Sequence, residues 1–381
     1  MQADSCAIIL GSHINAYSIV LSLHEIGWQG PIFCVKDKAD GWVLVESVPE
    51  LCRVWRFRME RDIDLIDELA GYIPSGLHPV IFLTSERFHN VIADNLDKGI
   101  LKDSVVHLGS LSHLQEILDR ALFYQYLHKL GFNNIPRTIS SEQDPFEEFG
   151  KRFFLRMRCS WHDLQKMPRG RVINSKSELG KVENSFLSEG ISREEWCYQE
   201  LLSVSDRDNV SICGWHDPDF RYYMATRKVL QHPPKSGNGV VCEVIPALPG
   251  LNDETKAILD SLEYNGPFEM EYIYDRKLKE YKVIELNPRF WMQHQLVNVN
   301  ANNLLVRRYI GEEVELNEDC QIRFWVNTFR VFMKLSRLNP AGLIYLFRSA
   351  TLVPTLRKAA VIGCNRLLRH NTGQINGFPV S

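Results

Sequence analysis

Residues 268–291 read FEMEYIYDRKLKEYKVIELNPRFW, and this stretch decides the prediction of the fold. Acidic or polar residues alternate with apolar residues on either side of the polar segment 275–280, a pattern that predicts a β-hairpin. With the hairpin centred near Leu278, Glu271 is expected opposite Glu285 on the partner strand. Asn287 lies two residues after Glu285 and therefore on the same face.

This face of the hairpin is a candidate magnesium site, because two carboxylates and an amide oxygen converge there. Directly opposed like charges destabilise a sheet unless something neutralises them. Oxygen ligands with open coordination positions suit Mg²⁺, particularly when the phosphates of a nucleotide complete its octahedron. Pro288 ends the strand, and Arg289 is placed to reach phosphate oxygens. The residues alone leave a second interpretation open, a solvated face whose acids pair with nearby lysines.

Residues 285–289, ELNPR, with Glu271 upstream, resemble the Glu-x-Asn-Pro-Arg signature of the ATP-grasp superfamily. The resemblance covers roughly residues 110–315. Within it, residues 227–234, RKVLQHPP, followed by Gly237-x-Gly239, are similar to uncharacterised ATP-grasp enzymes akin to D-aspartate ligase. The resemblance implies an ATP-dependent carboxylate–amine ligase that uses ATP and one or two Mg²⁺ ions and forms an acyl phosphate. A small-molecule carboxylate and an amine are the implied substrates, with a cell-envelope or polysaccharide precursor as one candidate.

The resemblance also implies a role for individual residues. The implied magnesium ligands are Glu271, Glu285 and Asn287. The implied nucleotide contacts are Arg120, Arg156, Gln199, Glu200, Leu202 and Asp208, with Asp206 as a second candidate for the ribose contact. Arg289 is expected to stabilise the transferred phosphoryl group, and Arg227 and Lys228 to contact phosphate or a substrate carboxylate. For Arg227 and Lys228, a solvated strand face is the alternative.

The sequence departs from the family pattern at two places. Arg156 stands where the family usually has lysine, which keeps the charge but changes the geometry. The expected glycine-rich flap is represented by residues 160–166 and a single Gly170. These departures keep open a second class of function, a nucleotide-binding sensor or scaffold without turnover. A carboxylase or carbamoyl-phosphate-type activity on the same fold is a further alternative.

Outside the hairpin, the chain predicts two kinds of architecture. Buried strands at 7–10, 32–35 and 80–83, with a helical pattern after the first, predict a parallel sheet. A lone Gly11 without the full Gly-x-Gly-x-x-Gly set favours a plain scaffold over a dinucleotide site. A long helix is expected at 114–130, with Arg120 near its middle, and strands at 153–158, 196–202, 209–215 and 222–230.

The fold prediction is therefore a combination of α/β and α+β structure. We expect a small parallel-sheet domain at residues 1–110 that precedes an ATP-grasp domain at 111–315. The ATP-grasp domain should have two lobes with a hinge near 199–202. Residues 316–381 are expected to form a helical, basic C-terminal region.

Composition and charge exclude several classes of function. The net charge of −3 argues against a dedicated nucleic-acid-binding protein. The nine cysteines include no Cys-x-x-Cys pair, which favours a cytoplasmic protein over a disulfide-stabilised or zinc-binding one. No apolar run is long enough for a spanning helix.

The C-terminal region differs from the rest of the chain in charge. Residues 321–381 contain no Asp or Glu, whereas nine Lys or Arg residues are interleaved with aromatic and aliphatic ones. Such a segment is typical of peripheral contact with an anionic membrane. The alternative is an internal helix that packs on the acidic remainder of the protein.

Overall fold

A computed structural model of the protein describes residues 4–37, 43–57, 64–159, 170–205, 207–232, 237–316 and 322–327. The strands are β1 (Ser5–Leu10), β2 (Ile32–Asp37), β3 (Arg53–Phe57), β4 (His78–Leu83), β5 (Thr138–Ser140), β6 (Phe153–Met157), β7 (Gly170–Ile173), β8 (Trp196–Glu200), β9 (Asn209–His216), β10 (Arg221–His232), β11 (Asn238–Val244), β12 (Gly266–Asp275), β13 (Glu280–Asn287) and β14 (Phe324–Val326). The helices are α1 (Ile14–Glu25), α2 (Asp64–Tyr72), α3 (His89–Ala93), α4 (Leu114–Leu118), α5 (Arg120–Lys129), α6 (Pro145–Phe149), α7 (Lys176–Ser188), α8 (Pro249–Ser261), α9 (Gln295–Asn300) and α10 (Leu304–Tyr309).

The N-terminal sheet is parallel, as the sequence predicts, and its strand order is β3-β2-β1-β4. β1 is buried along its whole length, which is typical of a parallel strand covered on both faces. β3 was not predicted, because its sequence RVWRF is not a continuous apolar run like those of the inner strands, and it lies at the edge of the sheet. One hydrophobic cluster, which includes Ile9, Phe82, Trp215 and Phe290, joins this sheet to the second one.

The second sheet has six strands in the order β13-β12-β9-β10-β11-β14, and all its pairs are antiparallel. In the β12–β13 hairpin, Glu271 pairs with Glu285 and Glu269 pairs with Asn287, so the predicted register is confirmed. Helices α5 and α8 cover one face of this sheet, where Phe123 and Ile258 pack against Met270. The carboxylates lie on the other face, because successive side chains alternate along a strand.

The third sheet has the order β5-β8-β6-β7 and is also antiparallel. The predicted strands at 153–158 and 196–202 are confirmed as β6 and β8. Helix α7 covers one face through Val182 and Phe186. Arg156 on β6 and Gln199 on β8 therefore belong to a sheet other than the one that holds the hairpin.

The single helix predicted at 114–130 is wrong in one respect, since the structure has two helices separated at Asp119. The backbone of Asp119 is extended, and its carboxylate accepts hydrogen bonds from the backbone N–H groups of Ala121 and Leu122. An aspartate in this position is a strong N-cap. Arg120 is consequently the first residue of α5 and not the middle of a long helix.

The C-terminal region is described only at 322–327 beyond residue 316. Phe324–Val326 forms β14, which pairs with β11, so the helical prediction is wrong there. The rest of the predicted basic helix, the flap residues 160–169 and Asp206 lie outside the described residues. Within the described ranges, none of the helices has both the length and the apolar character needed to cross a membrane.

Candidate active site

The predicted magnesium ligands share one face of the β12–β13 hairpin. Glu271, Glu285 and Asn287 point to the same side, since Glu271 lies opposite Glu285 and Asn287 follows two residues later. Glu271 and Asn287 are buried, whereas Glu285 is partly accessible. The structure therefore brings together the oxygen-bearing side chains that the sequence singled out.

Glu285 is bound by two arginines from different elements. Arg120 donates from Nε to Glu285 Oε2 at 2.9 Å and from Nη2 to the same oxygen. Arg156 donates from Nη2 to that oxygen at 2.6 Å. Burial alone would raise the pKa of Glu285, but the charges of Arg120 and Arg156 hold it well below its ordinary value. Glu285 thus stays ionised and links α5 and β6 to the hairpin.

Glu271 is paired with Lys228 of β10. The ammonium Nζ donates to both carboxylate oxygens, at 2.8 and 2.7 Å. Burial would lower the pKa of Lys228, but the charge of Glu271 outweighs it and the pKa is raised above its ordinary value. Asn209 Nδ2 also donates to Glu271, at 3.3 Å, while the buried Oδ1 of Asn209 has no partner among the described residues.

Glu269 is a third acid on this face, and the sequence analysis gave it no role. Its carboxylate accepts from Ser211 Oγ at 3.1 Å, Gln293 Nε2 at 2.5 Å and Asn287 Nδ2 at 3.2 Å. Burial, and next the charge of Glu271, raise the pKa of Glu269 to about 8. The alternation of Glu269 with Glu271 in one strand was a signal that placed it on this face.

Arg289 is held by the N-terminal sheet. Its Nε donates to Glu86 Oε1 at 2.8 Å, and its Nη2 donates to Asn287 Oδ1 at 3.1 Å. Glu86 is buried in the 3₁₀ turn Glu86–Phe88 that follows β4. Nearby, His89 Nε2 donates to the carbonyl oxygen of Pro288 at 3.0 Å. The sequence carried no signal for Glu86, because its partner is 203 residues away.

The residues expected to contact the nucleotide base and ribose lie around the end of β8 and the start of β9. Gln199 is buried and donates to Tyr124 Oη at 3.3 Å, and Tyr124 donates to the carbonyl of Ile284 at 2.7 Å. Glu200 accepts from the backbone N–H of Arg137 at 2.9 Å. Gln199 therefore connects β8 with the hairpin, next to Glu285.

Leu202 and Asp208 lie on the connection between β8 and β9. Leu202 is half-buried. Asp208 accepts from Arg276 Nε at 2.6 Å and Nη2 at 3.0 Å. Burial would raise the pKa of Asp208, but the hydrogen bonds from Arg276 and the backbone of Ser205 lower it below its ordinary value.

Arg227 was predicted to act beside Lys228, but the structure does not bring it to this face. Strand β10 pairs Arg227 with Glu243 of β11 and with Val210 of β9. Val210 belongs to the helix-covered core, so Arg227 points to the side opposite Lys228. Its Nε donates to Glu243 Oε1 at 2.9 Å.

The arrangement as a whole is a buried patch of mixed charge that suits a polyphosphate. Cations from three sources, α5, β6 and β10, converge on one hairpin, and Arg289 lies at its end. Within the described parts of the chain, no group of three or more His, Cys, Asp or Glu side chains is placed to hold a metal ion alone. A divalent cation here would therefore share its coordination with an amide oxygen and with oxygens of a bound ligand.

Comparisons with known proteins extend these observations. No protein-family model matches the chain, and no curated protein matches its sequence. Among solved structures, an N5-carboxyaminoimidazole ribonucleotide synthetase in complex with ADP is 14% identical, with a TM-score of 0.63, and the match covers 89% of this chain and 86% of that one. The N5-carboxyaminoimidazole synthetase of Staphylococcus aureus is 13% identical, with a TM-score of 0.59 and coverage of 83% and 79%.

A third similar structure is the biotin carboxylase domain of the 2-oxoglutarate carboxylase from Hydrogenobacter thermophilus. It contains MgADP, ADP and bicarbonate, and it is 14% identical, with a TM-score of 0.56 and coverage of 84% of this chain and 72% of that one. At such low identities the likeness establishes a shared fold, and it extends over most of the length of these three proteins.

Proposed function

We propose, from the premise that this chain has the ATP-grasp fold, that it is an ATP-dependent ligase that joins a carboxylate to an amine. ADP and phosphate would be the other products. The observation that carries the proposal is the convergence of Arg120, Arg156 and Lys228 on Glu271 and Glu285. A fold scaffold alone does not require this buried set of charges, since burying ion pairs rarely stabilises a protein.

Magnesium fits the donor set of this patch. Glu271, Glu285 and Asn287 would hold it, and the unpartnered, buried Oδ1 of Asn209 beside Glu271 is a further oxygen that a cation would satisfy. When bound, the ion would neutralise the negative charge of the nucleotide phosphates and orient them. The comparison structure with MgADP is consistent with this proposal.

The protein's own part in the proposed reaction is to bind charge and to position the reactants. The γ-phosphoryl group of ATP would pass to a carboxylate oxygen, so that the bond to ADP breaks and an acyl phosphate forms. The amine would then attack the acyl carbon, lose a proton and displace phosphate. No protein nucleophile is needed for either step.

Four cationic side chains would serve this chemistry. Arg120 and Arg156 would hold the phosphates that stay with ADP, and Lys228 and Arg289 would stabilise the transferred group. Glu285, Glu271 and Glu86 pair with these four side chains and hold them around the hairpin. Positioned charges of this kind stabilise the charge that develops during phosphoryl transfer.

The direct test is carboxylate-dependent release of ADP and phosphate. The purified protein would be incubated with Mg²⁺-ATP and amino acids or other carboxylates and amines, singly and in pairs, with mass spectrometry of the products. We expect release that needs a particular carboxylate and is abolished by Glu285→Gln. Glu280→Gln is a matched control, because Glu280 is an exposed acid of the same hairpin, paired only with Lys282 among the described residues.

A second candidate function is ATP-dependent carboxylation of an amine, with bicarbonate as the carboxylate. It is favoured by the similar structures, which are carboxyaminoimidazole synthetases and a biotin carboxylase domain. ADP release that depends on bicarbonate and not on organic acids would support it. Tight ATP binding without release under any pairing would contradict both candidates and favour a nucleotide sensor.

A further inference from the structure

A buried carboxylate on the opposite side of the six-stranded sheet gathers three arginines. Glu243 of β11 is 2% exposed and forms ion pairs with Arg227, Arg207 and Arg323. Arg227 Nε and Nη2 lie 2.9 and 2.5 Å from Glu243 Oε1, whereas Arg207 Nη2 lies 3.4 Å from that atom and Arg323 Nη2 lies 3.8 Å from Oε2. We refer to Arg207, Arg227 and Arg323 as the arginine cluster.

The arginine cluster carries more positive charge and more donors than Glu243 can satisfy. Among the described residues, three guanidinium groups face one carboxylate, so two positive charges are left over. Together the three guanidinium groups have about fifteen N–H donors, whereas the carboxylate has about four acceptor positions. Only Arg227 is closely bonded; Arg207 and Arg323 are 48% and 69% exposed and lie at longer distances. Like charges in such proximity repel unless an anion joins them.

The three arginines come from segments that are far apart in the sequence. Arg207 lies on the connection between β8 and β9, Arg227 lies on β10, and Arg323 precedes β14. Arg207 has a positive φ of 75°, a conformation that non-glycine residues rarely adopt. The backbone is therefore locally strained at the residue whose guanidinium approaches Glu243.

The sequence that follows offers no acidic side chain to complete the cluster. Residues 321–381 contain no Asp or Glu and add further positive charge. The cluster lies on the face opposite Lys228 and Glu271 and is therefore separate from the proposed phosphate and metal contacts, whereas Arg207 directly precedes Asp208, the proposed ribose contact. Among the described residues, Glu243 is the carboxylate that all three arginines share, so a bound anion would supply the missing negative charge.

We propose that the arginine cluster is a second anion site that binds a phosphate group, independent of the proposed ligase activity. A phosphate near neutral pH carries close to two negative charges, which match the surplus of the cluster. Its oxygens accept paired hydrogen bonds from guanidinium groups, and arginine is the residue best shaped for this contact. The phosphate belongs either to a soluble molecule or to the headgroup of an anionic lipid.

The test compares two phosphate probes on the full chain. Inorganic pyrophosphate is titrated calorimetrically at an ADP concentration that fills the nucleotide site. Separately, co-sedimentation is measured with phosphatidic acid vesicles and with phosphatidylcholine vesicles. The test variant is Arg207→Gln/Arg323→Gln, which replaces two exposed side chains. Arg323→Gln alone is the second variant, in case the double variant does not fold.

We expect the double variant to weaken the binding of at least one probe by about tenfold, because two charge-assisted contacts are lost. Loss confined to pyrophosphate identifies a soluble phosphate ligand, and loss confined to phosphatidic acid vesicles identifies a lipid headgroup. Arg137→Gln/Arg193→Gln removes the same charge from exposed positions elsewhere, and it should leave both probes unchanged. The proposal would be overturned if the double variant bound both probes as tightly as the wild type does. It would also be overturned if the control variant weakened the binding of the probes equally.

Discussion

Glu271 and Glu285 lie directly opposite each other in the hairpin, and each carboxylate is neutralised by cations from other elements. Lys228 reaches Glu271, whereas Arg120 and Arg156 reach Glu285. The residues proposed to bind phosphate are therefore paired with the residues proposed to bind magnesium. Nucleotide and metal ion would have to bind together. The metal ion would bind the carboxylates and free the cations for the phosphates, and the phosphates would bind the cations and free the carboxylates for the metal ion.

This exchange predicts an unusual effect of Glu285→Gln on nucleotide binding. Without Mg²⁺, the variant should bind ADP about fivefold more tightly than the wild type, since Arg120 and Arg156 no longer pair with a carboxylate. With Mg²⁺, the wild type should gain affinity and the variant should not. Calorimetry in EDTA and in Mg²⁺ measures both effects. Weaker binding by the variant in EDTA would contradict the exchange.

A second prediction concerns Glu86, which holds Arg289 from the N-terminal sheet. Glu86→Gln should reduce kcat by about 10- to 100-fold, as is usual when the partner of a catalytic group is lost. The KM for ATP should change less than about threefold, because Glu86 forms an ion pair with Arg289, whose proposed role is to stabilise the transferred group. Steady-state kinetics of ADP release separates the two constants. Glu263→Gln, an exposed acid, is the control, and a rise in KM with unchanged kcat would contradict the positioning role.

The hairpin shows why part of the site was predictable from the sequence. The period of two in residues 268–287 determines which side chains share a face, and the turn at 275–280 determines which residues lie opposite each other. The same rule, applied to adjacent residues, also separates Arg227 from Lys228. They were expected to act together, but neighbours in a strand point to opposite faces.

Other features depend on information that no local pattern contains. The break at Asp119 escapes prediction because the apolar periodicity of residues 114–130 continues across it, and only the capping geometry reveals the end of α4. The contact between Glu86 and Arg289 depends on how two sheets pack. The position of Glu86 after β4 could be predicted, but its partner could not.

Arg156 offers a third prediction, since the superfamily whose signature the sequence resembles usually has lysine at this position. Arg156 donates one short hydrogen bond to Glu285, from Nη2 at 2.6 Å, so the positive charge matters more than the full guanidinium fork. Arg156→Lys should keep kcat/KM for ATP within about fivefold of the wild type, whereas Arg156→Gln should lose about 100-fold. Initial rates at varied ATP test this ranking. Equal losses in the two variants would mean that the fork geometry is essential.

The last prediction is a pH dependence of stability that originates in His294. This histidine is fully buried; Nδ1 lies 2.7 Å from the carbonyl oxygen of Trp291, and Nε2 has no partner among the described residues. Burial lowers the pKa of His294 to about 4, so the ring is neutral in the folded protein at neutral pH. In the unfolded chain, the pKa returns to about 6.5.

Between pH 6.5 and 4 the unfolded state therefore binds more protons at this site than the folded state does, and acidification favours unfolding. The loss should reach about 2 kcal/mol of unfolding free energy at pH 5. His294→Gln retains a donor for Trp291 and cannot titrate. As pH falls from 7.5 to 5, the free energy of unfolding of the wild type should therefore decrease by more than that of the variant. Urea unfolding at several pH values measures this shift. The exposed His128→Gln is the control, and parallel pH profiles for wild type and His294→Gln would rule out the buried, neutral histidine.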